Sequence, residues 1–195
     1  MKLADLDIAK IYAYADYLTW HFEERVELIR GKIFKIGPES NLAHQLMAGE
    51  LFRRLANFLE KQECRAFVAP FDVRLPRRSS SDQEVITVLQ PDVCVVCDRS
   101  KCDARGCAGA PDLVIEVLSP GNNAKELRNK FEVYEEAGVR EYWIVFPQDY
   151  YVLVNRLVDG KYVTSRPLVQ EDMLTTEVLP GFSLSLKDLF ESARP

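Results

Sequence analysis

The sequence predicts an α/β protein, an α+β mixed sheet with helices packed on it. Three observations carry that prediction. Between about residues 41 and 147 the apolar periodicities run in the order helix, strand, strand, strand, helix, strand. The end of that run, residues 112–146, reads as strand–helix–strand, which implies a parallel strand pair joined by a right-handed crossover. Two tight-turn dipeptides, Arg30-Gly31 and Asp159-Gly160, each sit between apolar runs and mark antiparallel hairpins on either side of this core. A chain of 195 residues suits one domain with its own hydrophobic core. The expected division is a core at about 41–147, an N-terminal helix and hairpin in 1–40, and a C-terminal hairpin and short helix in 148–195.

Each element has a local reason. "IAKIYAYADYLTW" reads as a helix or helical turn, and "VELIRGKIFKI" as the first hairpin. From Asn41 to about Gln62 a strong helix is expected, because residues 44, 47, 48, 51, 55 and 58 fall on one face. Five of these are apolar and the sixth is His44, which therefore points inward. "RAFVAPFDVRLP" alternates and reads as one strand, with Phe67, Ala69, Phe71, Val73 and Leu75 on one side. "EVITVL" reads as an extra strand or half of a hairpin, "PDVCVVCD" and "PDLVIEVLS" as two core strands, and "RSKCDARGCAGA" as the loop between them. A helix from about Ala124 to Ala137 should be capped by Asn122 or Asn123 and stop at Gly138. "REYWIVFP" is the fourth core strand, a hairpin follows, and "LKDLF" is a short final helix.

Composition narrows the function classes. The chain is 47% hydrophobic and 28% charged, ordinary for a globular domain. No run approaches the roughly 18 apolar residues of a membrane-spanning helix, and the Asp- and Lys-rich start is unlike a secretory signal. A cytoplasmic protein is expected. The net charge of −5 excludes an obvious non-specific nucleic-acid binder, so a DNA function needs a local basic patch. Arg74, Arg77 and Arg78 offer one on a loop, with a solvated loop as the competing reading. Five cysteines, an odd number without an export signal, are expected to be reduced thiols. Cys94-x2-Cys97 with Cys102 and Cys107 resembles a zinc spacing. However, an odd and an even strand position point to opposite faces, which favours small buried side chains over a ligand set.

Glu116 is the anomaly of the sequence. It stands in the middle of "LVIEVL", and a carboxylate in an apolar strand is costly unless something satisfies it. Asp92 opens the preceding core strand, which should lie alongside, so the two carboxylates can approach each other. Such a pair repels unless a cation lies between, and hard oxygen donors on rigid strands suit Mg²⁺. Lys130 falls between Leu127 and Phe131/Tyr134 on the apolar face of the next helix, where its ammonium either snorkels out or meets an acid, and this helix should pack near Glu116. A simpler alternative explains the same residues: Glu116 and Lys130 form one buried salt bridge, His44 is a core histidine and Asp92 a strand-start residue. Asp112, at the start of Glu116's strand, is a weaker candidate for the role of Asp92.

At these residues the chain resembles the Uma-type restriction endonuclease family of the PD-(D/E)XK nuclease superfamily. The resemblance rests on "QPDVCVVCD" and "GAPDLVIEVLSPGNNAKELRNKFEVYEEAGVREYWIVFP", supported by "VELIRGKIFKI" and the His opening the long helix. It covers roughly residues 25–190. It implies a restriction-endonuclease-like α-β-β-β-α-β core and a Mg²⁺- (or Mn²⁺-) dependent endonuclease acting on DNA. It also implies metal binding by Asp92, Glu116 and the carbonyl of Val117. The superfamily's lysine normally stands two residues after the second acid, where this chain has Leu118; Lys130 matches the lysine moved to the following helix. Glu27 matches a supporting acid and His44 a supporting histidine. Phe146, Gly121, Asn122, Glu126 and Arg30 depart from the family pattern but leave Asp92, Glu116 and Lys130 in place. By analogy, cutting both strands of a duplex suggests a homodimer. The rival function is a nuclease-fold module that no longer cuts and binds nucleic acid or a protein.

Overall fold

The computed structural model describes residues 3–36, 41–77, 79–120 and 124–194. The N-terminal helix is a single turn, α1 (Tyr14–Tyr17). The first hairpin pairs β1 (Val26–Ile29) with β2 (Lys32–Lys35). Its turn residues Arg30 and Gly31 have φ of 52° and 74°, the left-handed pair that a tight hairpin turn requires. Helix α2 (Leu42–Phe58) starts where the Asn41 side chain accepts the backbone N–H of His44 at 2.9 Å. It buries Met47, Ala48, Leu51 and Leu55, the stripe read from the sequence.

The alternating run after α2 is not one strand. It forms β3 (Arg65–Val68) and β4 (Val73–Arg74), which belong to different sheets. Pro70 lies between them and has no N–H to give a ladder, so pairing stops there. Then come β5 (Val88–Leu89) and β6 (Val93–Val96). The segment read as a loop contains a small hairpin, β7 (Cys102–Asp103) and β8 (Gly106–Ala108). Gly106 is required there: its φ is 120°, and a Cβ would meet the Asp72 carbonyl oxygen at 2.2 Å. Strand β9 (Leu113–Val117), helix α3 (Ala124–Ala137) and strand β10 (Glu141–Phe146) form the expected crossover, with β9 and β10 parallel. Helix α3 ends at Gly138, φ 85°. The proposed caps Asn122 and Asn123 lie outside the described residues. The C-terminal part comprises β11 (Tyr151–Val158), β12 (Lys161–Thr164), an unanticipated hairpin of β13 (Met173–Thr175) and β14 (Ser183–Ser185), and α4 (Leu186–Ser192).

The single mixed sheet of the sequence reading is thus two six-stranded mixed sheets. One has the order β12-β11-β10-β9-β6-β3 and is the backbone of the molecule; the other is β2-β1-β5-β4-β8-β7. Alternation divides the central strand β9. Leu113, Ile115 and Val117 pack with Met47, Leu51, Trp143 and Phe190 in one core cluster, while Val114 and Leu118 pack with Val133, Tyr134 and Tyr142 in a second. Glu116 shares parity with the second set.

Two expectations about side chains need correcting. Cys64 and Cys97 form a disulfide (S–S 2.05 Å), so the cysteines are not all free thiols. The reason is register: Arg65 faces Val96 across β3 and β6, and the next pair outward is Cys64 and Cys97. Cys94, Cys102 and Cys107 remain thiols. The basic loop is also committed elsewhere. Arg74 is buried against Asp103 at 2.7 Å, Arg77 pairs with Glu136 at 2.6 Å, and Arg78 lies outside the described residues. Among the described residues no helix is long and apolar enough to cross a membrane.

Candidate active site

Antiparallel register sets the two acids side by side. Val93 faces Ile115 across β6 and β9, so one step outward Asp92 comes opposite Glu116. Asp92 Oδ2 accepts the backbone N–H of Val117 at 2.7 Å, which ties the first acid to the strand of the second. His44, positioned by the Asn41 cap, brings Nε2 to 3.2 Å from the same Asp92 oxygen.

Glu116 is 6% exposed and Lys130 is also 6% exposed, and the helix wheel's direction holds. Lys130 Nζ donates to Glu116 Oε1 and Oε2 at 3.0 and 3.1 Å. It also reaches Glu27 Oε2 at 3.2 Å, across from β1. Glu27 Oε1 in turn accepts the backbone N–H of Gln90 at 2.8 Å. The Tyr134 hydroxyl, one helical turn after Lys130, donates to Glu116 Oε1 at 2.8 Å. All six residues singled out in the sequence, Glu27, His44, Asp92, Glu116, Val117 and Lys130, line one cavity of about 320 Å³. Asp112 does not: it accepts the Cys97 N–H at 2.8 Å and lies 3.6 Å from Arg140.

The electrostatics are unbalanced. Burial pushes the Glu116 carboxyl up, to about 8; Lys130 pulls against this, and Asp92 and Glu27 add to it. For Lys130, burial pulls down, but Glu116 and Glu27 outweigh it and keep the ammonium charged. Burial and Glu116 likewise hold Tyr134 protonated, so it acts as donor. Glu27 and Glu116 therefore share one ammonium with Asp92 close by, a crowding of acids that a divalent cation would relieve. The donors are all oxygens, the chemistry Mg²⁺ or Mn²⁺ takes, and Mg²⁺ needs only one or two carboxylates because it keeps several waters. Among the described residues no group of three His, Cys, Asp or Glu side chains is arranged to hold a metal ion. The donor set fits a sparsely ligated hard cation and excludes a zinc-thiolate centre at this cavity.

Two further residues contribute. Tyr134 continues the apolar stripe of its helix, and its only signal in the sequence is that a buried tyrosine hydroxyl needs a partner. Gln90 carries no signal in the sequence.

Two mixed sheets carry paired strand acids beneath a helix-borne lysine, and a solved structure shares the fold. The crystal structure described as a putative nuclease belonging to DUF820 from Anabaena variabilis ATCC 29413 superposes with a TM-score of 0.73, covering 94% of this chain and 99% of that one at 20% identity. The family model described as "Uma2: Putative restriction endonuclease" matches residues 14–187, and the chain belongs to that family. No curated protein matches it.

Proposed function

We propose that this chain is a Mg²⁺- or Mn²⁺-dependent endonuclease that hydrolyses phosphodiester bonds in DNA in the cytoplasm. The observation that carries the reading is the meeting of Asp92, Glu116 and Lys130 in one cavity, each delivered by a different element. Asp92, Glu116 and the Val117 carbonyl would hold the cation. When bound, it would supply Lewis acidity to the phosphate and a lowered pKa to a coordinated water. The chain's own residues do the rest. Lys130 stands over the acids with its ammonium charged, where it can orient a water and stabilise charge on the phosphate. Tyr134 and Lys130 fix the rotamer of Glu116, and His44 and the Val117 N–H fix that of Asp92. Glu27 shares Lys130 and helps set its position. A homodimer would supply the second active site that cutting both strands needs.

The test is cleavage of supercoiled plasmid in Mg²⁺ or Mn²⁺ against EDTA. Cation-dependent nicking is expected, reduced at least about a hundredfold in Glu116→Ala and Asp92→Ala. Undiminished cutting by Glu116→Ala would falsify the assignment. A second reading is favoured by one observation, the closed Lys130–Glu116 pair: a silent nuclease-fold module held by a buried salt bridge. That reading expects no Mn²⁺ binding by calorimetry, whereas the enzyme reading expects binding that Asp92→Ala removes.

A further inference from the structure

We propose that Arg25 anchors a backbone phosphate of the bound DNA, and that the Gln90 side chain holds Arg25 in the orientation to do so. The inference rests on the nuclease reading of the cavity. Arg25 lies two residues before Glu27, so both project from the same face, and both line the cavity. Glu27 is buried within it; Arg25 is exposed at its mouth.

The guanidinium is held in one pose. Its Nε and Nη2 both donate to Gln90 Oε1, at 3.0 and 2.6 Å. The amide cannot turn over without loss, because Gln90 Nε2 donates to Asp72 Oδ1 at 2.8 Å and to the Tyr17 hydroxyl at 3.1 Å. The backbone N–H of the same residue holds Glu27. One residue thus sets the position of a buried carboxylate and of the cation above it.

The partner's chemistry is the informative part. Gln90 is neutral, so it orients the guanidinium without cancelling its charge. Other cations at this cavity are committed: Lys130 to Glu116 and Glu27, Lys35 to Glu24 at 3.5 Å. Elsewhere Arg30, Arg53, Arg74, Arg105 and Arg166 all meet carboxylates. Among the described residues Arg25 touches no carboxylate; it feels Asp72 only through space, across the Gln90 amide. Its charge and remaining N–H donors are left for an anion, in the fork geometry that suits a phosphate. A cavity rich in carboxylates repels a phosphodiester, and a fixed cation at its mouth offsets that repulsion for a strand laid across it.

Binding of a short mixed-sequence DNA duplex, followed by fluorescence anisotropy from 50 to 200 mM salt with Ca²⁺ replacing Mg²⁺, tests this. Arg25→Ala should weaken binding about tenfold and lower the slope of log K against log salt by about 0.9, one phosphate contact. Gln90→Glu keeps Arg25 but sets a carboxylate against it, and should reproduce most of that loss. Arg99→Ala removes an exposed arginine away from the cavity, bonded to the Glu63 carbonyl at 3.3 Å, and should leave the slope unchanged. Wild-type binding with an unchanged slope in Arg25→Ala, or an equal change in Arg99→Ala, overturns the role of Arg25 alone. Absence of any binding or cleavage by the wild type overturns the nuclease reading and this inference with it.

Discussion

Glu116 and Glu141 stand on adjacent parallel strands, and both are buried, at 6% and 2% exposure. Their surroundings differ in kind. Glu141 accepts from the Trp143 indole at 2.9 Å, from the Glu177 backbone N–H at 2.8 Å and from Arg156 at 3.3 Å. Among the described residues no acid competes for these donors except the exposed Glu177, which shares Arg156 at 3.6 Å. Glu116 shares its lysine with Glu27 and feels Asp92 beside it. Alternation turns Glu141 toward the face that carries Trp143 and Val145, and Glu116 toward α3 and the cavity. Burial by itself therefore says little about a carboxylate's role. What separates a structural joint from a candidate cation site is the balance of donors against acids around it.

Glu141→Ala should give the largest stability effect, because it strands the buried Trp143 indole N–H and removes the acceptor of the part-buried Glu177 N–H and of Arg156: a loss of about 2–3 kcal/mol in urea denaturation. Mn²⁺ binding by the protein that remains folded should be unchanged. A loss under 1 kcal/mol would erase the distinction drawn between the two acids.

The next effect is a pH dependence confined to Glu116. Its folded carboxyl is raised from 4.5 to about 8. The folded state therefore holds a proton that the unfolded chain has given up across that window. The stabilisation is full below about 4.5 and is lost as pH rises through about 8. In EDTA the melting temperature should carry a downward contribution from pH 5 to 8.5 that Glu116→Gln flattens. Equal slopes in the two proteins would contradict this. Mn²⁺ must displace that proton, so wild-type affinity should fall as pH drops below about 8.

The smallest effect is Tyr134→Phe. It removes one hydrogen bond to Glu116, costing about 1 kcal/mol, and should weaken Mn²⁺ binding about tenfold by loosening the ligand. Since that bond favours the ionised carboxyl, the pH midpoint of Mn²⁺ binding should also rise. Unchanged affinity in calorimetry would reduce Tyr134 to a packing residue.

Much of the candidate site was legible because its clues are local. An acid in an apolar strand, an acid just after Pro91 and a lysine on an apolar helix stripe each break a period that a short window displays. Tyr134 was hidden because tyrosine fits an apolar stripe without breaking it. Gln90 was hidden because its role depends on meeting Arg25, Glu27 and Asp72, all distant in sequence. The run from Arg65 to Leu75 misled because its alternation continues across Pro70, while its two halves pair with different partners.

The sequence by itself determined the hairpins at Arg30-Gly31 and Asp159-Gly160, the apolar face of α2 and the β9–α3–β10 crossover. Turn chemistry and side-chain period act over a few residues and need no distant partner. Only the tertiary structure decided the division into two sheets, the Cys64–Cys97 bond, the commitment of Arg74 and Arg77 to acids, and the sharing of Lys130 between Glu27 and Glu116. Each of these depends on which strand lies beside which and in what register, and that choice belongs to the packed chain rather than to any one segment.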